Sequence, residues 1–144
     1  MLKSVKIKGM SGVRMYSTTL PLYRIQYNVL VGENVQDCAR AVEEMFPGLS
    51  VVQDISPDTG GYAASIQHPE EGYNFFMLLS PNVNSKIPGI CAHESLHLSW
   101  FICNVLGIKV SWKNHEAQAY IMQEIFNTSM AAFNDYINRQ NKKS

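Results

Sequence analysis

Paired cysteines, long apolar runs and abundant charge are all missing from this chain. Cys38, Cys91 and Cys103 are its only three cysteines. The count is odd and the spacing unpaired, which does not suit a disulfide framework, so a reduced, cytoplasmic setting is expected. No apolar run approaches the roughly 20 residues that span a bilayer, so no membrane span is expected. The first twenty residues, MLKSVKIKGMSGVRMYSTTL, scatter Lys and Arg and lack the apolar stretch of a secretory signal. Charged residues are only 17%, but hydrophobic residues reach 46%, enough to bury a core and inconsistent with global disorder. There is no internal repeat and no low-complexity segment, and 144 residues suit one compact domain.

The formal net charge of zero conceals an uneven distribution. Residues 1–24 carry Lys3, Lys6, Lys8, Arg14 and Arg24 and no acid; residues 139–144 carry Arg139, Lys142 and Lys143 and no acid. The stretch between holds all 12 acids against Arg40, Lys86, Lys109 and Lys113, a net of −8. Basic ends can touch nucleic acid. With no aromatic residues among the C-terminal charges and no nucleic-acid motif, they read as solvated tails, and nucleic acid is not the expected partner. The division expected is a basic N-terminal segment (1–20), one domain (21–140) and a basic tail (141–144).

Hydrophobic periodicity supplies the elements. LYRIQYNVLV (22–31) alternates, with Tyr23, Ile25, Tyr27, Val29 and Val31 on one side, and predicts a half-buried strand. Asn34 suits the N-cap of a helix carrying Val35, Cys38, Ala39, Val42 and Met45 on one face. LSVVQDI (49–55) predicts a strand. YAASIQ (62–67) and YNFFMLLS (73–80) predict a hairpin-like pair of strands, the second apolar enough to lie inside the sheet. A helix follows the loop at 81–89 and ends near Leu106, with Gly107 as its C′ residue. A long final helix, about 114–138, would bury Ala119, Met122, Phe126, Met130, Phe133 and Ile137. The order β-α-β-β-β-α-α is an α+β domain. Cys91, Cys103, Trp100, Phe101, Ile102, Val105 and Leu106 are expected in the core, and His68 at the surface.

Into the apolar helix the sequence places CAHESLHLSW (91–100). Polar groups removed from water need partners, so His93, Glu94 and His97 demand a reason. Four residues apart, His93 and His97 sit one turn above each other on one face, where two imidazoles reach a single metal. Glu94, beside the first, points at a water on that metal and serves as a general base. Composition alone would yield this HExxH pattern only about 0.006 times per chain. Catalytic zinc takes three protein ligands and keeps one position open, so a third donor is needed, and His115 and Glu116 at the start of the last helix are the candidates.

HESLH followed by NHEAQAY (114–120) resembles the gluzincin class of zinc metallopeptidases, in which HExxH precedes a glutamate ligand on a later helix. It is similar in particular to the short zincin-like proteins of phages, prophages and mobile elements. The Glu116–Ala119 spacing resembles the neopeptidase-like domains of prophage regulatory proteases. This implies a zincin-like fold, a small mixed sheet packed on the HExxH helix and a long C-terminal helix. It implies a zinc ion (Zn2+) held by His93, His97 and Glu116, with Glu94 as general base for amide hydrolysis of a peptide or protein substrate by a zinc-activated water. The strand at 73–80 or its neighbour would offer an edge to an extended peptide. Peptidases of the class also use a Tyr or His to stabilise the oxyanion; His115 and Tyr120 are the residues near in sequence. The second reading is a latent or non-catalytic zincin-fold binding or regulatory protein with a structural zinc.

Overall fold

The structure, a computed structural model, describes residues 2–7, 12–52, 55–56, 58–82 and 86–143. Five strands form one mixed sheet: β1 (Lys3–Lys6), β2 (Arg14–Thr19), β3 (Gln26–Val31), β4 (Gly61–His68) and β5 (Gly72–Leu79). Their order across the sheet is β1-β2-β3-β5-β4. β3 and β5 run parallel, and every other neighbouring pair is antiparallel. Three helices complete the chain: α1 (Val35–Met45), α2 (Ile87–Leu106) and α3 (Glu116–Asn141). The α+β class expected from the sequence is the class observed. No helix among the described residues is long and apolar enough to cross a membrane.

The sheet separates two cores. On one face α2 and α3 pack over Tyr16, Tyr27, Val29, Phe75, Met77 and Leu79. On the other, α1 packs over Leu30, Ile66, Phe76 and Leu78. Phe75 to Leu79 are buried without interruption because β5 has a strand on each side and helices on both faces. Asn34 caps α1 as expected, its side chain accepting the Asp37 N–H at 2.8 Å. Gly107 ends α2 in the left-handed conformation at φ 73, which a Cβ would disfavour.

Five expectations are corrected. Residues 3–6 and 14–19, assigned to a basic segment outside the domain, are strands of the same sheet; β2 buries only Tyr16, too weak an alternation to read. The strand expected over 22–31 begins at Gln26. Before it, Leu20 and Arg24 close a turn through Leu20 N–H to Ile25 C=O and Arg24 N–H to Leu20 C=O, both 2.8 Å, with Arg24 at φ 54. The strand expected at 49–55 is absent over its described residues, 49–52 and 55, while residues 53 and 54 lie outside them. The Glu43 carboxylate accepts the N–H groups of Val51 and Val52 at 2.6 and 2.9 Å, removing them from any ladder.

The fourth correction concerns α3. Its buried residues are Gln118, Ile121, Ile125, Ser129, Ala132 and Tyr136, one position from the expected row, whose members other than exposed Ala119 are half-buried. The buried row meets α2 through Ser129, against Cys91, and Gln118, against Ser99, and small side chains at Ser129 and Ser99 suit a close approach of the two helices. Trp100, expected in the core, is 55% exposed on α2.

Candidate metal centre and peptide edge

α2 positions the centre. One flank carries Cys91 and Ser99, which meet α3 through Ser129 and Gln118, the latter pair at 3.4 Å. His93 and His97 each lie two residues from one of these, a step of about 200° around the helix. They therefore stand on nearly the opposite flank, exposed to solvent. Their Nε2 atoms converge to 3.1 Å, with rings at 69°. A tetrahedral zinc at about 2.0–2.1 Å from each nitrogen would separate them by roughly 3.3 Å, so the pair fits two corners of such a site.

Glu94 lies between the histidine flank and the sheet and is buried at 8% exposure. Burial pushes its carboxyl upward from the usual carboxylate range, while His93, His97 and a backbone hydrogen bond from Ala63 pull it down. The side chain fits because Gly61 faces it. A Cβ on Gly61 would lie 2.5 Å from Ile90 Cγ2 and 2.9 Å from Glu94 Cγ. Gly60, Gly61, Lys86, Gly89, Ile90, His93 and Glu94 line an open groove of about 450 Å³. The contact of Gly61 with Glu94 crosses 33 positions of chain and has no local signal in the sequence.

β4 is the edge of the sheet on this side. Ser80 N–H donates to Gly60 C=O at 3.0 Å, directly beyond the Gly61–Leu79 register pair. Antiparallel alternation then turns the backbone groups of Tyr62, Ala64 and Ile66 toward β5. Those of Gly61, Ala63, Ser65 and Gln67 point outward, where no strand pairs with them among the described residues. The Ala63 bond to Glu94 agrees with this phase. The edge is thus β4, the neighbour of the interior strand at 73–80.

The remaining expected site residues lie elsewhere. The link after α2 is closed by reciprocal bonds between Ser111 and Asn114, 3.1 and 3.0 Å, and by Asn114 Nδ2 donating to Lys109 C=O at 2.9 Å. It holds His115 and Glu116 exposed at the start of α3, the helix on the other flank of α2. Among the described residues, no group of three or more His, Cys, Asp or Glu is placed to hold a metal, so Glu116 and His115 do not join the histidine pair. Tyr120 packs its ring edge-on against Tyr23, centroids 6.5 Å apart. His68 lies at the far end of β4, its Nδ1 accepting the Glu70 and Glu71 N–H groups. Compared with known proteins, the chain matches no family model, no curated protein and no solved structure.

Proposed function

We propose that this chain is a zinc-dependent peptidase of zincin type, with His93 and His97 as metal ligands and Glu94 as general base. The observation that carries the reading is the convergence of two exposed imidazole nitrogens beside a buried carboxylate that borders a strand edge unpaired among the described residues. When bound there, zinc would supply Lewis acidity toward the scissile carbonyl and acidify a water.

The chain's own groups provide the rest. The outward N–H and C=O groups of Gly61, Ser65 and Gln67, with the Ala63 C=O, would hold an extended substrate backbone as an added strand. Glu94, at the Ala63 end of that edge, would take the proton from the attacking water and deliver it to the leaving amine. Its burial suits the task, because a carboxyl raised from its usual range gives up a proton less readily until the amine accepts it. Glu116 is proposed as third ligand on its resemblance to the gluzincin pattern; reaching the pair requires the 107–115 link and the first turn of α3 to shift as metal binds.

The second reading is a latent or regulatory zincin-fold protein with a structural zinc; among the described residues no third donor stands beside the pair. Glu94→Gln separates them, since it keeps size and removes the base. On a peptide library the parent, loaded with zinc, should hydrolyse substrates and the variant should lose about 10²-fold or more while retaining zinc. No hydrolysis by the zinc-loaded parent transfers the assignment to the regulatory reading.

A further inference from the structure

The basic ends of the chain are not separate tails. α3 carries the C-terminal end back across the sheet to the β1–β2 edge, where Lys6, Arg14, Arg139 and Lys143 line one shallow depression with Tyr136. Tyr136 donates its hydroxyl to Gly12 C=O at 2.8 Å, and Arg139 reaches Ser4 Oγ at 3.4 Å. One pair of like charge is set face to face and two more cations stand beside it. Lys6 and Arg14 are direct register partners across β1 and β2, and like charges so placed repel. Arg139, in the last turn of α3, and Lys143, two residues past its end, line the same depression.

One of the four cations has an ionic partner: Asp135 accepts from Arg139 Nε and from Tyr16 OH, both at 2.7 Å. Among the described residues no salt bridge reaches Lys6, Arg14 or Lys143, and Glu33 acts on Tyr136. The negative end of the α3 dipole accounts for basic residues in its last turn; it does not account for Lys6 opposite Arg14. We infer that this patch binds the phosphate backbone of nucleic acid, through charge and without base readout. A lipid surface suits it less. The only exposed large apolar residue on the neighbouring strands, Val5, alternates with Lys6 and so points to the other face of β1. The inference is independent of the proposed zinc site.

The test is fluorescence anisotropy of a labelled 20-base-pair DNA duplex of mixed sequence with the full chain, from 20 to 200 mM salt. Three phosphate contacts, from Lys6, Arg14 and Lys143, predict a log–log salt slope of about −2.7, a loss of roughly 40-fold between 50 and 200 mM. Lys6→Gln/Arg14→Gln should cut the slope to about −0.9, reducing that loss to about 3.5-fold, with melting temperature unchanged or higher because repulsion is relieved. Lys143→Gln, outside regular structure, should lower the slope by about one and serves if the double variant does not fold. Lys109→Gln/Lys113→Gln should change nothing. The inference is overturned by no binding at 20 mM salt, by an equal effect of the Lys109/Lys113 variant, or by binding to phosphatidylserine vesicles in preference to the duplex.

Discussion

Gly61 and Glu94 occupy the same space between β4 and α2: the position of a Cβ on Gly61 is 2.9 Å from Glu94 Cγ and 2.5 Å from Ile90 Cγ2. The contact sets how closely the helix bearing the histidines lies against the free strand edge. Gly61→Ala should therefore force the helix outward at a cost of about 1–3 kcal/mol, typical of overpacking. A fall in melting temperature of roughly 3–10 °C is expected. Gly89→Ala on the same helix meets nothing within 4 Å and should be neutral or stabilising by up to about 1 kcal/mol. Equal melting temperatures for the two variants would show that the approach at Gly61 is not tight.

The convergence of His93 and His97 makes a stoichiometric prediction. The chain should bind close to one zinc, and zinc at 100 times its dissociation constant should stabilise the fold by about 2.7 kcal/mol. His97→Ala should abolish both effects and leave the metal-free melting temperature nearly unchanged, because the side chain is exposed. Isothermal titration and thermal melts with and without chelator measure this. A parent that neither retains zinc nor melts higher in its presence ends the metal reading.

The thiols should be inert in the native state. Burial pushes Cys38 up to about 12, and its Sγ–H lies 3.8 Å from Leu79 C=O. Cys91 and Cys103 are also raised by burial. Since the thiolate is the reactive form, a chromogenic disulfide reagent at pH 8 should label no cysteine in buffer and three in denaturant. Rapid labelling of one thiol in buffer would mean that its helix opens.

The parts of the fold that were legible in the sequence are those whose cause is local. Asn34 and Gly107 mark helix ends by their own chemistry, and Phe75 to Leu79 announce an interior strand by their unbroken apolarity. His93, Glu94 and His97 need only helical spacing. What was not legible depends on distant partners. α3 offers two apolar rows one residue apart, and the row with larger side chains, Met122, Phe126 and Phe133, was the stronger sequence signal. Contact with Cys91 and Ser99 instead selects the row containing Ser129 and Gln118, because small residues allow α2 to approach. β1 and β2 were hidden because an edge hairpin with one buried Tyr carries little periodicity. Val51 and Val52 carry strand propensity that Glu43, on another element, overrides.

Ser95 tests the α2–α3 contact. Its Oγ is fully buried with no hydrogen-bond partner among the described residues, and an unsatisfied buried hydroxyl costs about 1–3 kcal/mol. Ser95→Ala should raise the melting temperature by a few degrees, whereas Ser99→Ala, which removes the acceptor for Gln118, should lower it. A destabilised Ser95→Ala would mean that the hydroxyl makes a bond in solution.

The third metal ligand separates resemblance from geometry most sharply. The HExxH-then-Glu pattern assigns it to Glu116, yet Glu116 begins the helix on the flank of α2 opposite the histidines. If metal binding draws Glu116 to the pair, the 107–115 link must move with it. Trp112 sits at the tip of that link, 87% exposed, and is a natural reporter once the only other tryptophan is removed by Trp100→Phe. Zinc should then change Trp112 fluorescence, and Glu116→Ala should abolish that change and weaken zinc binding by about 10-fold or more, roughly 1.4 kcal/mol. His115→Ala, one residue earlier and also exposed, should leave both nearly intact. Zinc binding with no Trp112 response and no effect of Glu116→Ala would show that His93 and His97 hold the metal without α3. The gluzincin assignment of Glu116 would then fall while the two-histidine site and Glu94 remain.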